Sequence, residues 1–319
     1  MKLPIEKAIL LVGGKGTRLA PLTNSTPKPM LRIAGAPVTE HQIRKARDAG
    51  VKEIVLATSY LAEVFQPYFG DGEKFGVSIK YAVEREPLGT GGAIANAAKE
   101  LSLRPGESIF IFNGDVLSEH NLIAQSQLHQ NLEADVTLHL LEVADARPYG
   151  CVPLNPEGRV LEFLEKMPEP KAKTINAGCY IFKSEMLNQL PYGKVVSIER
   201  DSFPNWLDSG YRIYGYLDSS YWIDMGTPEA MVRASRDLVR RHYGAALISP
   251  SAKIHQSAVI NGGSFIENDT SIDSDVRISG SIVAQGAVIE SGAIIENSYI
   301  AADSRVKTGS NLRESIHGF

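Results

Sequence analysis

The sequence has few cysteines, no excess of basic residues and no long apolar run. Among its 319 residues are two cysteines, Cys151 and Cys179, which are too few for a disulfide framework. Lysine and arginine number 33 against 37 aspartate and glutamate residues, so we expect no nucleic-acid partner. The first apolar run, Ala8 to Val12, is far shorter than the about 20 residues of a membrane helix. These absences predict a cytoplasmic protein with reduced thiols and without a secretory or membrane segment.

The first 244 residues alternate short apolar runs with amphipathic stretches. Buried strands are predicted at Ala8–Val12, Glu53–Thr58, Ile79–Glu84 and Ser108–Phe112, and helices at Val38–Ala49 and Gly91–Leu101. Strands that alternate with helices are typical of an α/β, Rossmann-like, mostly parallel sheet with helices on both faces. Ligands bind such sheets beyond the carboxyl ends of the strands, which draws attention to the loops after Val12 and Phe112.

The remaining residues, 245–319, follow a period of six. Aliphatic side chains recur six residues apart, with one step of five, at Ile254, Ile260, Ile266, Ile272, Ile278, Val283, Ile289 and Ile295. Neither a helix nor a simple strand has this period, whereas a β-helix of hexapeptides does. The segment resembles the left-handed parallel β-helix of hexapeptide-repeat proteins, with about three coils. We therefore predict two domains, 1–244 and 245–319, the second of which caps, rigidifies or oligomerises the first.

The loop after the first predicted strand reads Gly13-Gly14-Lys15-Gly16-Thr17-Arg18. It matches neither the Walker loop nor the dinucleotide fingerprint. Three glycines in four positions let successive backbone N–H groups converge on an anion, and Arg18 adds a planar fork suited to phosphate oxygens. Taken alone, the loop could equally be a glycine-rich turn with solvated charges. Prolines on both sides of Lys28 stiffen its backbone, so its ammonium group can be aimed at a ligand with less loss of entropy.

Together these segments resemble the sugar-1-phosphate nucleotidyltransferases, or nucleotide-sugar pyrophosphorylases. The resemblance runs from Ile5 to about Arg240 and is closest to the GDP-mannose pyrophosphorylase branch. It continues, in chain order, through Glu86–Gly92, Asn113-Gly114-Asp115, Tyr149-Gly150, Glu165-Lys166, Asn176-Ala177-Gly178, Ser197-Ile198-Glu199-Arg200 and Trp222–Pro228. One departure stands out, because the family's Glu-Lys-Pro is here Glu165-Lys166-Met167-Pro168.

The resemblance implies an enzyme that joins a nucleoside triphosphate to a sugar 1-phosphate and releases pyrophosphate. It implies that Arg18, Lys28, Asp115 and Asp224 carry the chemistry, the two aspartates by holding Mg²⁺. The nucleotide is expected at Gly13, Gly14, Gly16, Thr17, Arg18, Glu84, Gly89, Thr90 and Gly114. The sugar phosphate is expected at Gly150, Glu165, Lys166 and Asn176. For either aspartate alone, the residues also fit a carboxylate that caps a turn.

The nucleobase is expected to be guanine. In related transferases for uridine and thymidine nucleotides, a glutamine five residues before the Leu-Gly-Thr glycine often meets the pyrimidine, and the corresponding residue here is Glu84. A carboxylate can accept from both adjacent donors of guanine, N1–H and the 2-amino group. The alternative is that Glu84 is a solvated charge at a strand end.

Several functions stay open from the sequence. GTP and mannose 1-phosphate are favoured, with heptose or glucose 1-phosphate and dTTP, UTP or ATP as alternatives within the same reaction. A catalytically silent subunit that senses nucleotide-sugars would be expected to have lost a loop cation or an aspartate, yet this chain retains them all. An acyltransferase using the β-helix is disfavoured, since His255 and His317 lie at the ends of a short tail. A homo-oligomer formed through the β-helix is expected.

Overall fold

The computed structural model describes residues 4–14, 16–164 and 168–319. The chain divides into two compact units. The first, which we call the sheet unit, comprises Met1–Lys15 and Thr39–Trp222, and the second, the β-helix unit, comprises Gly16–Val38 and Ile223–Phe319. This grouping differs from a division at residue 244. The boundary predicted there concerns independently folding domains, and it stays a prediction.

The first part of the chain contains eleven strands among the described residues. They are β1 Lys7–Leu11, β2 Arg32–Ile33, β3 Ala36–Pro37, β4 Glu53–Thr58, β5 Ser78–Val83, β6 Ser108–Asn113, β7 Val116–Ser118, β8 Val136–Glu142, β9 Thr174–Lys183, β10 Ile213–Leu217 and β11 Trp222–Asp224. The α-helices are α1 Val38–Asp48, α2 Phe65–Phe69, α3 Gly89–Ala98, α4 Leu122–Asn131, α5 Ser184–Leu187, α6 Phe203–Asp208 and α7 Pro228–His242. The predicted strand Glu53–Thr58 is confirmed to the residue, and the other predicted boundaries lie within three residues of those observed.

The sheet unit is built on a seven-stranded sheet in the order β10-β8-β9-β6-β1-β4-β5. The pairs β1–β4, β1–β6, β4–β5 and β10–β8 are parallel, whereas β9 runs antiparallel to both β6 and β8. Successive residues of β1, Ala8 to Leu10, are all fully buried, as are the middle residues of β4. Because successive side chains point to opposite faces, both faces of these strands are covered. The predicted mostly parallel α/β sheet is confirmed, with one antiparallel strand that the sequence did not reveal.

The C-terminal residues form thirteen short strands in three parallel sheets. These strands are β12 Ala246–Ile248, β13 Lys253–Ile254, β14 Val259–Asn261, β15 Ser264–Ile266, β16 Ser271–Ile272, β17 Arg277–Ser279, β18 Ile282–Val283, β19 Val288–Ile289, β20 Ile294–Glu296, β21 Tyr299–Ile300, β22 Arg305–Val306, β23 Asn311–Arg313 and β24 Ile316–His317. Every third strand pairs in parallel, which gives the sheets β12-β15-β18-β21-β24, β13-β16-β19-β22 and β14-β17-β20-β23. This is the predicted left-handed parallel β-helix.

The register of these strands explains the interrupted period of six. Ile254 lies opposite Ile272, eighteen residues on, whereas Ile272 lies opposite Ile289 after seventeen. Three hexapeptides therefore make the first turn, and one residue is missing from each later turn. Four coils are complete and β24 begins a fifth, so the expectation of about three coils was too low. The repeated aliphatic side chains form one continuous internal core.

A single core position tests the stacking. Ile289 is fully buried in the middle of the β-helix, so we expect Ile289→Ala to lower the free energy of unfolding of this region by about 2–5 kcal/mol. Val259→Ala is the matched control, because Val259 is 50% exposed on the first coil. Chemical denaturation followed by circular dichroism measures both variants. Equal stability of the two variants would contradict the assigned core.

Candidate active site

Four neighbouring parallel strands of the sheet unit end at the same edge. They are β6, β1, β4 and β5, and their last residues lie side by side in the register. The residues that follow them include three separate groups of predicted site residues, Gly13-Gly14, Glu84 and Gly114-Asp115. The edge therefore brings together segments that are up to about one hundred residues apart in the sequence.

The turn after β6 sets the position of Asp115. The N–H of Gly114 donates to the carbonyl of Leu11 at 3.0 Å, and a Cβ on Gly114 would lie 2.3 Å from that oxygen. Only glycine fits at this approach, so Asp115 must follow β6 directly beside the end of β1. Gly14 is fixed nearby, since its N–H donates to Oγ of Ser59, the residue after β4, at 3.2 Å.

Gln42 of α1 holds the same turn from the other side. Its side-chain Nε2 donates to the carbonyls of Asn113 and Val116, both at 2.8 Å, and Gln42 is buried. These two carbonyls flank Gly114 and Asp115. No sequence pattern indicates this role, because one glutamine on an amphipathic helix resembles any other polar position.

Glu84 directly follows β5. Its N–H donates to the carbonyl of Thr58 at 2.9 Å, and its Oε2 accepts from the N–H of Leu88 at 3.4 Å. Its Oε1 is buried and has no hydrogen-bond partner among the described residues. Burial raises the pKa of this carboxyl, and the Leu88 hydrogen bond only partly offsets that effect. Glu84 is thus half-buried, and no donor in the described part of the chain meets its Oε1, unlike a freely solvated strand-end charge.

The N-terminus of α3 is closed by residues 194–199. The N–H of Gly91 donates to the carbonyl of Val196 at 2.8 Å, and a Cβ on Gly89 would lie 2.6 Å from the same oxygen. The hydroxyl of Thr90 donates to Oε2 of Glu199 and accepts from the N–H of Ile198, both at 2.8 Å. The hydroxyl of Thr90, predicted to bind the nucleotide, therefore already organises this segment.

Asn176 belongs to a partly buried hydrogen-bond network that also includes Glu199. Its Nδ2 donates to the hydroxyl of Tyr180 at 2.8 Å, and its Oδ1 accepts from the N–H of Gly178 at 3.0 Å. The Tyr180 hydroxyl also accepts from Asn113 and donates to Glu199, at 3.3 Å in both cases. Burial raises the pKa of Tyr180, so the phenol stays protonated as a donor. Glu199 was not among the predicted site residues, although its Ser-Ile-Glu-Arg motif marked the segment.

Gly150 adopts a φ of +80°, and its N–H donates to the carbonyl of Ala146 at 3.1 Å. The next residue, Cys151, pairs with Leu164 through an isolated antiparallel bridge. The predicted pair Glu165-Lys166 comes directly after Leu164 and lies outside the described residues, as does Lys15.

The β-helix unit carries a second group of predicted residues. Lys28 is 9% exposed, and its ammonium lies 3.9 Å from Oδ1 of Asp224. A Cβ on Gly226 would lie 3.0 Å from Nη2 of Arg18, so this guanidinium packs against Gly226. Gly226 follows Asp224 by two residues in the sequence. The structure thus gathers two cations and one carboxylate from sequence positions about two hundred residues apart.

Two short helical turns hold these cations. The turn Thr17–Leu19 carries Arg18 and follows Gly16, whose carbonyl accepts from the Thr23 hydroxyl at 3.0 Å. The turn Lys28–Met30 is closed by the N–H of Met30, which donates to the carbonyl of Pro27 at 2.8 Å. The stiffening expected from the prolines around Lys28 stays a prediction.

The donor set suits a metal that is shared with substrate. Among the described residues, no group of three or more histidine, cysteine, aspartate or glutamate side chains could enclose a metal ion. The predicted ligands Asp115 and Asp224 are both carboxylates. Such oxygen donors fit a hard divalent cation that keeps positions for phosphate oxygens and water.

Comparison with known families separates the chain at residue 241. Residues 7–241 match the family model described as nucleotidyl transferase, and residues 242–318 match the GMPPB C-terminal domain. The chain belongs to the nucleotidyl transferase family. The recognition made from the sequence motifs is confirmed, and members of this family generally use a divalent metal.

Named relatives agree on one reaction. A mannose-1-phosphate guanylyltransferase from Mycobacterium tuberculosis is 50% identical over 234 residues, which are 73% of this chain and 64% of that protein. A mannose-1-phosphate guanylyltransferase catalytic subunit beta from Drosophila melanogaster is 36% identical over 70% of this chain and 60% of its own length. The chain therefore spans less than two thirds of these relatives.

Solved structures share the fold of the nucleotidyl transferase part. The crystal structure of HddC from Yersinia pseudotuberculosis complexed with GMP-PN is similar, with a TM-score of 0.62 and 29% identity over 73% of this chain and 99% of that one. A putative glucose-1-phosphate thymidylyltransferase from Bacillus anthracis, at 24% identity over 74% of this chain and 95% of that one, has a TM-score of 0.66 and shows the fold alone. In the described part of this family member, no helix is long and apolar enough to cross a bilayer.

The role of Gln42 in holding the turn after β6 can be tested without substrate. In Gln42→Leu the carbonyls of Asn113 and Val116 lose a buried donor, which we expect to cost about 1–3 kcal/mol of unfolding free energy. Amides of Gly114 to Val116 should exchange with solvent hydrogen faster. Denaturation and hydrogen-exchange mass spectrometry measure these effects, with exposed Gln66→Leu as the control. Exchange at the turn equal to that of the control would rule out the role.

Proposed function

We propose that this protein transfers GMP from GTP to mannose 1-phosphate, forming GDP-mannose and releasing pyrophosphate. The family membership and the names of the relatives support the reaction type and the substrates. The single structural observation that carries the proposal is the edge where β6, β1, β4 and β5 end. That edge holds Gly13-Gly14, Glu84 and Asp115 together, as a nucleotide site in a parallel sheet requires.

The reaction is a displacement at the α-phosphorus of the nucleotide. A phosphate oxygen of the sugar 1-phosphate forms the new P–O bond, and the bond from the α-phosphorus to the bridging oxygen of pyrophosphate breaks. Because the attacking oxygen is already anionic, no strong general base is needed. The protein has to align the two substrates and offset their converging negative charge.

We assign Arg18 and Lys28 to the triphosphate, and above all to the departing pyrophosphate. The guanidinium of Arg18 offers a planar fork for phosphate oxygens, and the ammonium of Lys28 offers a point charge on a short helical turn. Their gathering beside Asp224 supports this assignment. Gly13, Gly14, Gly16 and Thr17 line the same loop, and their backbone N–H groups are the proposed phosphate contacts.

We assign Asp115 and Asp224 to Mg²⁺. This cation takes few protein carboxylates and fills its remaining positions with phosphate oxygens and water, which suits the two predicted ligands. When bound, it neutralises charge on the phosphates as it develops. Gly114 and Gln42 support Asp115 by fixing the turn on which it stands.

The sugar 1-phosphate is assigned to Lys166, Glu165, Asn176 and the backbone of Gly150. Lys166 would contact the phosphate, and the other groups would read the hydroxyls of the sugar. Asn176 is held in one orientation by Tyr180 and Gly178, which supports a role in reading hydroxyl positions. Heptose and glucose 1-phosphates are the alternative acceptors.

The alternative function of a different class is a catalytically silent subunit that senses nucleotide-sugars. Arg18, Lys28, Asp115 and Asp224 are all retained, and three of them are gathered in one cluster, which favours catalysis. A homo-oligomer formed through the β-helix and a cytoplasmic location stay predictions.

A pyrophosphate-release screen of the full chain tests the proposal. We expect turnover with GTP and mannose 1-phosphate in the presence of Mg²⁺ to exceed that with other nucleotides and sugar phosphates. Turnover that is absent with every pair, or highest with another nucleotide or sugar, would overturn the assigned reaction or its substrates.

Asp115→Asn tests the metal assignment. The variant should keep the fold and some nucleotide affinity but lose several orders of magnitude in kcat, because the metal stabilises charge that develops in the transition state. Exposed Asp48→Asn is the control. Near-normal turnover of Asp115→Asn at saturating Mg²⁺ would refute the assignment.

Glu84→Gln tests whether Glu84 recognises the guanine base of the nucleotide. Oε1 of Glu84 has no partner among residues 4–14, 16–164 and 168–319, and the Leu88 contact is weak, so the carboxylate can accept from N1–H and the 2-amino group of guanine. Glutamine keeps one acceptor and adds a donor, so we expect the preference for GTP over UTP to fall about tenfold to a hundredfold. Values of kcat/KM for all four nucleotides decide this, with exposed Glu63→Gln as the control. An unchanged ratio would remove Glu84 from base selection.

A further inference from the structure

The hairpin that follows Lys28 is joined to the β-helix by an ion pair. Strands β2 and β3 form this hairpin, with Arg32 opposite Pro37. Nε of Arg32 donates to Oε1 of Glu267 at 3.0 Å, and Nη2 of Arg32 donates to the carbonyl of Gly35 at 2.7 Å. One guanidinium therefore ties the hairpin both to its own turn and to a residue 235 positions away.

Glu267 is itself fixed within the β-helix. It follows β15 in the second coil, and its side chain is only 11% exposed. Its Oε2 accepts from the N–H of Gln285 in the third coil at 3.1 Å. The carboxylate thus bridges two coils with one oxygen and meets Arg32 with the other, so it has little freedom to follow the hairpin.

A second contact joins the hairpin to α7, and α7 in turn joins the β-helix. The N–H of Ala34 donates to Oγ of Ser235 on α7 at 3.0 Å, and both residues are buried. Arg240 of α7 donates to the carbonyl of Gly262 at 2.9 Å, and Arg236 donates to Oδ1 of Asn297 at 3.1 Å. The hairpin, α7 and the β-helix coils therefore each contact the other two.

Lys28 precedes the hairpin in the sequence, and Asp224 precedes α7. Lys28 stands four residues before Arg32, and the N–H of Leu31 between them donates to the carbonyl of Lys28 at 3.2 Å. Asp224 stands four residues before Pro228, where α7 begins behind its cap Thr227. Both Lys28 and Asp224 are thereby placed a few residues from segments that the β-helix holds.

We propose that the β-helix is the scaffold that positions Lys28 against Asp224, and that Arg32 and Glu267 are the positioning residues that transmit this constraint. The tail predicted to cap or oligomerise the protein would then also set the geometry of its phosphate-binding cations. The kinetic part of this inference rests on the proposed function, whereas the structural part does not.

The test compares Arg32→Met, Glu267→Gln, the double variant and Arg32→Lys in the full chain. Arg32→Met keeps the apolar stem and loses both donors, and Arg32→Lys keeps a cation that can reach Glu267. Glu290→Gln is the matched control, because it weakens the Glu290–Arg305 ion pair of the β-helix, 2.7 Å long, away from the hairpin.

Hydrogen exchange gives the readout that needs no substrate. In Arg32→Met and Glu267→Gln we expect faster exchange at the amides of Met30, Leu31 and Ala34, and in Arg32→Lys partial restoration. The double variant should resemble Arg32→Met, because the link between Arg32 and Glu267 is already lost in that single variant. Exchange at these amides that is unchanged, or changed equally in Glu290→Gln, would overturn the scaffold.

Kinetics give the second readout. A shifted cation should raise KM for GTP or lower kcat by about fivefold to a hundredfold, since small displacements of positioning groups are costly, while the control keeps wild-type values. If the variants lost thermal stability but kept the wild-type KM for GTP and kcat, the contact between Arg32 and Glu267 would be purely structural. That result would overturn the positioning role. If the wild type itself showed no turnover, the proposed function would fail, and hydrogen exchange would still decide the scaffold.

Discussion

The close approach of the turn after β6 to the end of β1 is the constraint on which the site depends. Because Gly114 lies against the carbonyl of Leu11, the chain after β6 has one course, and Asp115 must stand at the edge where four parallel strands end. Gln42 closes this turn from behind, and the loop at Gly14 is tied to the end of β4 through Ser59. The backbone therefore fixes the position of Asp115 at this edge, which the proposed displacement would need for the alignment of its substrates.

The charged side chains of the candidate site have different partners in the two units. In the sheet unit, the carboxylates of Glu84 and Glu199 are both held by neutral donors, from Leu88, Thr90 and Tyr180. In the β-helix unit, cations meet a carboxylate, since Lys28 and Arg18 lie close to Asp224 or to Gly226 beyond it. Under the proposed function, the cations would bind the phosphates of the substrates, and the carboxylates would take the metal and the hydrogen-bond donors of the base.

Much of this architecture is readable from the sequence, and the remainder has physical reasons to be hidden. The strand Glu53–Thr58 and the β-helix follow from apolar periodicity, which burial enforces directly. Helix α3 begins two residues before its predicted start, because contacts with Val196 override the low helix propensity of its glycines. The antiparallel direction of β9 is invisible, since alternation of side chains is the same in both directions. The pairing of Arg32 with Glu267 joins positions too far apart for any local pattern to indicate.

Hydrogen exchange of the wild-type protein with and without GTP and Mg²⁺ tests the central claim, that the nucleotide binds where β1, β4, β5 and β6 end. The account predicts protection of amides in three separated segments, 11–14, 84–92 and 112–116, and weaker protection of the same segments by UTP. Protection confined to the β-helix coils, or absent from all three segments at a concentration of GTP that saturates binding, would contradict it.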